Sequence, residues 1–156
     1  PGGPLIEKKA KLGISDKVDF PRILLGKENL EFSFSGLKTS LLYYMDSFEE
    51  TENIKLEDVI ASYQMAIIDT LSEKIRRALL KTKSKRCVIA GGVAANQCLR
   101  KKIKEINPLT EFVFPDLNFC TDNAAMISFL GEIKINLLNK ENFQDFSFSA
   151  LPNLKL

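Results

Sequence analysis

From Leu56 to Lys81, apolar residues recur at steps of three and four: Leu56, Val59, Ile60, Tyr63, Ile67, Leu71, Ile75, Ala78 and Leu79. A strand alternates its side chains with a period of two and cannot gather that pattern on one side. The spacing predicts one long amphipathic helix. Glu57 and Asp58 sit in its first turn, and Arg76, Arg77 and Lys81 near its end, signs that suit the helix dipole. About 26 residues at ~1.5 Å each make a rod of roughly 39 Å. The rest of a 156-residue chain must pack along it.

Beyond this helix the chain reads as an α/β unit. Cys87-Val88-Ile89-Ala90 is a short apolar run ended by Gly91-Gly92, the pattern of a buried strand. Val93–Ile106 reads as a helix stopped near Asn107-Pro108. Glu111–Phe114 reads as a second strand, and Asp122–Leu138 as a helix with Ala125, Met126, Phe129 and Ile133 on one side. That order implies parallel strands. Before the long helix, residues 1–13 read as a short helix, with Pro4 in its first position and Gly13 at its stop. Residues 14–34 hold two short extended runs, and Glu31–Phe34 alternates like a strand. Ser35 is placed to cap a helix over Gly36–Met45, with Leu37, Leu41 and Leu42 inward. Asp46–Asn53 is an acidic connector, and Phe143–Leu156 fits no element.

Several function classes drop out. With 45% hydrophobic and 27% charged residues the chain is globular rather than disordered. No apolar run reaches the ~18 residues of a membrane-spanning helix. There is no histidine, which excludes a Ser-His-Asp or Cys-His site within the chain. Cys87, Cys98 and Cys120 are odd in number and lack CxxC spacing, so free thiols are expected. The opening Pro1-Gly2-Gly3-Pro4, without methionine or a signal pattern, suggests a piece of something longer. Charge is uneven. Eleven basic and no acidic residues lie between Lys74 and Lys104, leaving eleven basic against 20 acidic elsewhere, a balance of −9. Such a span suits a polyanion, or two solvated helix ends.

Four motifs could carry chemistry, one of them the opening Pro1-Gly2-Gly3-Pro4, a turn whose glycines expose backbone. Ala90-Gly91-Gly92-Val93-Ala94-Ala95-Asn96 lies between a strand and a helix. Its glycines allow a tight turn and close ligand approach, and the helix start offers free N–H groups to an anion. Asn96 could pair with a base or ribose. The bland alternative is a turn that simply needs glycine. In Cys120-Thr121-Asp122-Asn123, Thr121 or Asp122 could cap the next helix, or Asp122 could ligate a metal at a strand's carboxyl edge. Phe32-Ser33-Phe34-Ser35-Gly36-Leu37-Lys38-Thr39 could hold a phosphate, or be a plain helix start.

In order, PGGP, Phe20-Pro21-Arg22, FSFSGLKT, AGGVAAN with Leu99-Arg100, and CTDNAAMI (Cys120–Ile127) resemble the C-terminal half of the tRNA N(6)-adenosine threonylcarbamoyltransferase family, once called glycoproteases. The resemblance spans residues 1–138. It implies an α/β, actin-like ATPase (ribonuclease-H-like) lobe, a mixed sheet flanked by helices, as the second half of a two-lobed enzyme. Residues 1–156 would form one domain, with a motif-bearing opening at 1–55, a core at 56–138 and a tail at 139–156. The implied reaction moves threonylcarbamoyl from threonylcarbamoyl-AMP to N6 of the adenosine beside the anticodon, in tRNAs reading codons that begin with adenine. Gly3, Glu7, Gly91, Gly92 and Asn96 would face the adenylate, and Asp122 would complete a site for one divalent metal, iron or zinc. Arg76, Arg77, Lys83, Arg100 and Lys101 are candidate tRNA contacts. Implied partners are tRNA, other threonylcarbamoyl-synthesis proteins of this fold and a second copy of the chain. The implied location is cytoplasmic, or organellar given an upstream transit segment.

The family's two metal-binding histidines belong to the first lobe and are absent here. Ile23 stands where a second proline is usual, and Ser147–Leu156 does not match the usual ending. The fragment alone is therefore expected to be inactive. Two other readings stay open: a non-catalytic partner of the same fold, and a sugar-kinase-like ATP-binding lobe.

Overall fold

The computed structural model describes residues 2–24, 26 and 28–137; the tail from 139 onward, including Ser147–Leu156, lies outside them. Two helices come first, α1 (Gly2–Ala10) and α2 (Ser35–Asp46). The periodic stretch is one helix, α3 (Leu56–Thr82). Then come β1 (Arg86–Val88), a 3-10 turn (Gly92–Ala95), α4 (Gln97–Lys104) and β2 (Glu111–Val113). A second 3-10 turn (Leu117–Phe119) precedes α5 (Ala124–Leu137). The chain divides into two compact units, residues 1–120 and 121–156.

In the first unit, α3 separates two cores. Val59, Tyr63 and Ala66 meet Val18, Phe20 and Leu37 on one side. Ile68 meets Leu99 and Ile103 of α4 on the other. Phe20 is the hub of the first core, edge-on to Tyr44 and Tyr63 with ring centroids 5.6 Å away in each case. The helix is buried well beyond an apolar stripe. Asp58, Ser62, Gln64, Thr70, Ser72 and Lys74 are buried as well. Buried polar groups ordinarily find partners; here most partners are backbone, while the Ser72 hydroxyl has none among the described residues.

Those partners explain residues 14–34, where the structure has no strand among the described residues. The expected extended runs are a strap along α3, hydrogen-bonded to helix side chains instead of to another strand. Ile14 N donates to Asp58 Oδ1 at 2.7 Å, and Val18 N to Ser62 Oγ at 3.1 Å. Arg22 Nη2 donates to Asp69 Oδ2 at 2.9 Å. Further on, Arg77 Nη1 donates to the Gly26 carbonyl and Lys74 Nζ to the Asn29 carbonyl. Gly13 is not a left-handed helix stop; a Cβ there would overlap the Glu57 carbonyl, so glycine lets the strap cross the start of α3. The helix α1 begins at Gly2, which makes Pro4 its third residue, still within the turn whose N–H groups need no helical partner.

The helix α2 corrects two expectations. Ser35 lies inside it and gives no side-chain cap; its carbonyl accepts from Thr39 Oγ1 at 3.1 Å. Leu37 is buried and Leu41 packs on the first core, but Leu42 is 70% exposed, one step round from Leu41 and facing away from α3.

After α3, β1 and β2 pair in parallel with Cys87 opposite Phe112, and α4 bridges them as a β-α-β unit. The expected mixed sheet is not formed among the described residues, which hold two strands only. The strand β1 is not fully buried either: Val88 is 65% exposed. Helices cover one face of this small sheet, so Cys87 and Phe112 turn inward while their neighbours stay in solvent. The expected single helix Val93–Ile106 is broken at Asn96, whose extended backbone (φ −65°, ψ 119°) joins the 3-10 turn to α4.

In the second unit, α5 starts two residues later than expected. Neither Thr121 nor Asp122 caps it. Asn123 does, its Oδ1 accepting from Met126 N at 3.0 Å. Ala125, Met126, Phe129 and Ile133 are not buried, because this unit has no second described element to cover them.

Replacing Phe20, 1% exposed, by alanine removes the hub of the first core. Phe20→Ala is expected to lower unfolding stability by about 3–5 kcal/mol in urea titration. Leu42→Ala is expected to stay within about 0.5 kcal/mol of the parent.

Candidate functional site

The carboxyl ends of parallel strands are where α/β folds gather ligands. Here β1 runs out into Ala90-Gly91-Gly92, and Gly91 takes φ +91°, a backbone region that side-chain-bearing residues avoid. The N–H groups of Gly91, Gly92 and Val93 have no hydrogen-bond partner among the described residues, while Ala94 N closes the turn onto the Gly91 carbonyl at 2.9 Å. Three exposed amides at a strand end form an anion-facing edge.

The N-terminus of α4 was expected to supply such amides, and the structure corrects this. Leu99 N donates to Asn96 Oδ1 at 2.9 Å. Gln97 N donates to Glu7 Oε1 at 2.9 Å. Protein groups already occupy two of the three free amides of that helix start. The second bond joins residues 90 apart in sequence and brings the PGGP helix to the glycine loop. Of the expected adenylate-facing residues, the structure thus joins Glu7 to the Asn96–Gln97 junction beside Gly91 and Gly92. Gly3 lies on α1 with open space around it.

Asn96 is held on both sides. Its Oδ1 caps α4, and its Nδ2 donates to Gln64 Oε1 at 2.9 Å. Gln64 is 9% exposed on α3. This fixes the orientation of the Asn96 amide and leaves one of its N–H groups unassigned. Gln64 escaped the sequence reading. Its only signal there is a polar residue beside Tyr63, on the inward side of the apolar period.

A second cluster lies between α3 and α4. Asp69 receives Arg22 on Oδ2 and Lys102 on Oδ1. Burial works against its charge, but the bonds from Lys102 and Arg22 outweigh it and hold Asp69 below the usual carboxylate range. The arginine of the FPR motif is thereby a tie between strap and helix.

The candidate tRNA contacts separate. Arg100 is committed inward: its Nε donates to the Ala94 carbonyl at 2.6 Å and its Nη2 to the Pro115 carbonyl at 2.7 Å, and its guanidinium lies 5.0 Å from the Phe114 ring centre. Arg76 and Arg77 both bind Glu73, at 2.7 and 2.8 Å. Hydrogen bonds from Arg76, opposed by burial and helped by Arg77, hold the Glu73 carboxyl at about 2. Lys83 ends α3 in a left-handed conformation (φ 52°), and Lys101 is exposed on α4.

Asp122 is exposed in the second unit. Among the described residues no three Cys, Asp or Glu side chains lie close enough to hold a metal ion, and the chain has no histidine. The described residues therefore do not by themselves assemble a metal centre. The three thiols are free; burial pushes those of Cys87 and Cys98 up, away from reactivity at neutral pH.

The family described as "tRNA N6-adenosine threonylcarbamoyltransferase" matches residues 1–129. The enzyme of that description from Thermosipho africanus is 41% identical over the whole chain, which covers 47% of the relative. Those from Caldicellulosiruptor saccharolyticus and Clostridioides difficile are each 42% identical, again over the whole chain and 46% of the relative. The chain spans about half the length of the curated relatives it matches.

Asn96→Ala is expected to cost about 1 kcal/mol through the lost cap. Asn96→Asp keeps an acceptor for Leu99 N and is expected to retain most of the stability; thermal unfolding of both variants checks this. Glu73 titrates near 4.5 when unfolded and about 2 when folded. Its contribution is complete above pH 4.5 and is lost as the pH falls toward 2. Glu73→Gln is expected to flatten the acid limb of the stability profile over that window.

Proposed function

The chain belongs to the tRNA N6-adenosine threonylcarbamoyltransferase family, and from that premise we propose that it is the second-lobe share of an actin-like, two-lobed enzyme of this activity. The observation that carries the reading is the Glu7–Gln97 bond, which places the PGGP helix against the glycine loop. The reaction is acyl transfer from a mixed anhydride. The N6 amine of adenosine attacks the carbamoyl carbon, the bond from that carbon to the phosphate oxygen breaks, AMP leaves and the amine loses a proton.

Each residue has a stated task. The Gly91–Val93 amides face the phosphate of the adenylate. Asn96, oriented by Gln64, offers its remaining N–H to the nucleoside. Glu7 spends Oε1 on Gln97 and has Oε2 for a ribose hydroxyl, and Gly3 lets the nucleotide approach α1. Asp122 is this chain's one ligand toward a metal (iron or zinc) completed from the other half, where it would polarise the acyl or phosphoryl oxygens. The partners are tRNA and same-fold proteins of threonylcarbamoyl synthesis. No described helix is long and apolar enough to cross a membrane. Because its substrate would be tRNA, we propose the cytoplasm as the site of the activity.

Calorimetry with AMP tests the half-site. Weak binding is expected for the parent chain, at least tenfold weaker binding for Asn96→Asp, and negligible modified adenosine when the chain alone meets adenylate and tRNA. Equal AMP affinity in Asn96→Asp, or full turnover by the chain alone, would overturn the reading.

A further inference from the structure

The acid-free span Lys74–Lys104 reads differently once folded. Acids from outside the span come back to it in space. Glu73 takes Arg76 and Arg77, Glu111 takes Arg86 at 2.7 Å, and Asp69 takes Lys102. Arg100 is spent on the Ala94 and Pro115 carbonyls, and Lys74 is buried beside Asn29. Lys104 leans over the Phe114 ring. Lys81, Lys83 and Lys85 remain exposed, with no carboxylate paired to them among the described residues. On α4 only Lys101 is comparable.

These three lysines are not scattered. Lys83 and Lys85 line a groove of about 680 Å³ where α3 ends and β1 and β2 begin. Lys81 lines the adjoining hollow, which shares Arg76 and Leu80 with it. Ser84, Asn107 and Thr110 stand among the groove's walls and no carboxylate does, whereas the hollow of Lys81 also holds Glu28 and the Glu73 that Arg76 and Arg77 bind. The α3 dipole accounts for a cation in its last turn, such as Lys81. It does not account for Lys85, which lies beyond the helix, one residue before β1.

We propose that this groove docks the phosphodiester backbone of RNA through Lys81, Lys83 and Lys85. The proposal rests on the tRNA reading above and assigns the face of the chain that holds the nucleic acid. Lysines with interleaved hydroxyl and amide donors are what phosphate and sugar contacts use. An acidic protein segment carries its charge on flexible side chains, whereas RNA presents a phosphate at every nucleotide along its backbone. The groove sits at the amino edge of the strands and the glycine loop at their carboxyl edge. Three residues of strand, roughly 10 Å, separate the two edges, about the span of three phosphates along one strand. One RNA arm can therefore lie in the groove while its reacting base reaches the loop.

Fluorescence anisotropy on the full chain tests this, with a labelled anticodon stem-loop RNA and, separately, a labelled polyglutamate peptide. Lys81→Gln/Lys83→Gln/Lys85→Gln is expected to weaken RNA binding at least tenfold at low salt. It should also lower the slope of log affinity against log salt by about 2 to 3. Lys101→Gln/Lys104→Gln is expected to stay within twofold of the parent. Melting curves check folding. Should the triple variant melt early because Lys83 closes α3, Lys81→Gln/Lys85→Gln decides, with about a fourfold loss expected. RNA bound equally well by the groove variants overturns this assignment and leaves the transferase reading intact. So does a loss that follows the α4 pair. Peptide bound without RNA assigns the groove to an acidic protein and overturns it. Failure to bind RNA at all removes the tRNA role of this chain along with the groove.

Discussion

A helix buried on two sides over 27 residues cannot be satisfied by apolar contacts alone. Its inward positions outnumber those of a single stripe, and several of them carry polar side chains. In α3 these are Asp58, Ser62, Asp69 and Lys74, spaced so that each faces the neighbouring strap. The strap has no strand to pair with, and its buried N–H groups would be costly if left alone. Each side's unmet hydrogen bonds are the other's partners. Asp58 serves twice, closing the start of α3 on Lys55 N and holding Ile14 N, and those two bonds keep its carboxyl below the ordinary range. The packing of Phe20 and Val18 onto Tyr63 and Val59 presupposes this alignment.

The candidate site inherits its geometry from the same helix. Gln64 on α3 holds Asn96, Asp69 on α3 holds Lys102 of α4, and Glu7 of α1 holds Gln97. Two helices, α1 and α3, thus meet the start of α4, where Glu7 takes Gln97 N and the Gln64-held Asn96 takes Leu99 N. Anion recognition is left to the Gly91–Val93 turn, whose amides no described protein group takes. The φ of +91° at Gly91 is the backbone condition for that exposure.

Long-period features were legible in the sequence. The 3.6-residue pattern marked α3 to within one residue, and the strand-helix-strand order implied the parallel pair. The ordered motifs led to the family. What was not legible depended on partners distant in sequence. Glu31–Phe34 alternates like a strand yet forms none, and nothing in local spacing says that the strap's N–H groups at Ile14 and Val18 go to Asp58 and Ser62. Ser35 has the chemistry of a cap, yet the helix begins there and not after it. Asn96 reads as a ligand group, while its capping of α4 depends on a helix break that periodicity cannot place. Leu42 and Val88 are apolar residues on uncovered faces, and apolar type alone does not say which face is covered.

Charge shows the same limit from the other direction. Counting along the chain finds eleven cations without an acid and suggests a uniform basic surface. Folding brings Glu73, Asp69 and Glu111 back onto that span, where they pair with Arg76 and Arg77, with Lys102 and with Arg86. A paired arginine held by a carboxylate must break that pair to meet a phosphate, whereas an exposed lysine sheds only water and counterions. Counterion release favours the second kind of contact. The exposed lysines without a carboxylate are therefore the informative ones, and three of them, Lys81, Lys83 and Lys85, lie together around the turn that ends α3. That turn is held by a left-handed lysine, where glycine or asparagine would be the ordinary choice. A glycine at position 83 would ease the backbone but remove the middle cation of the three.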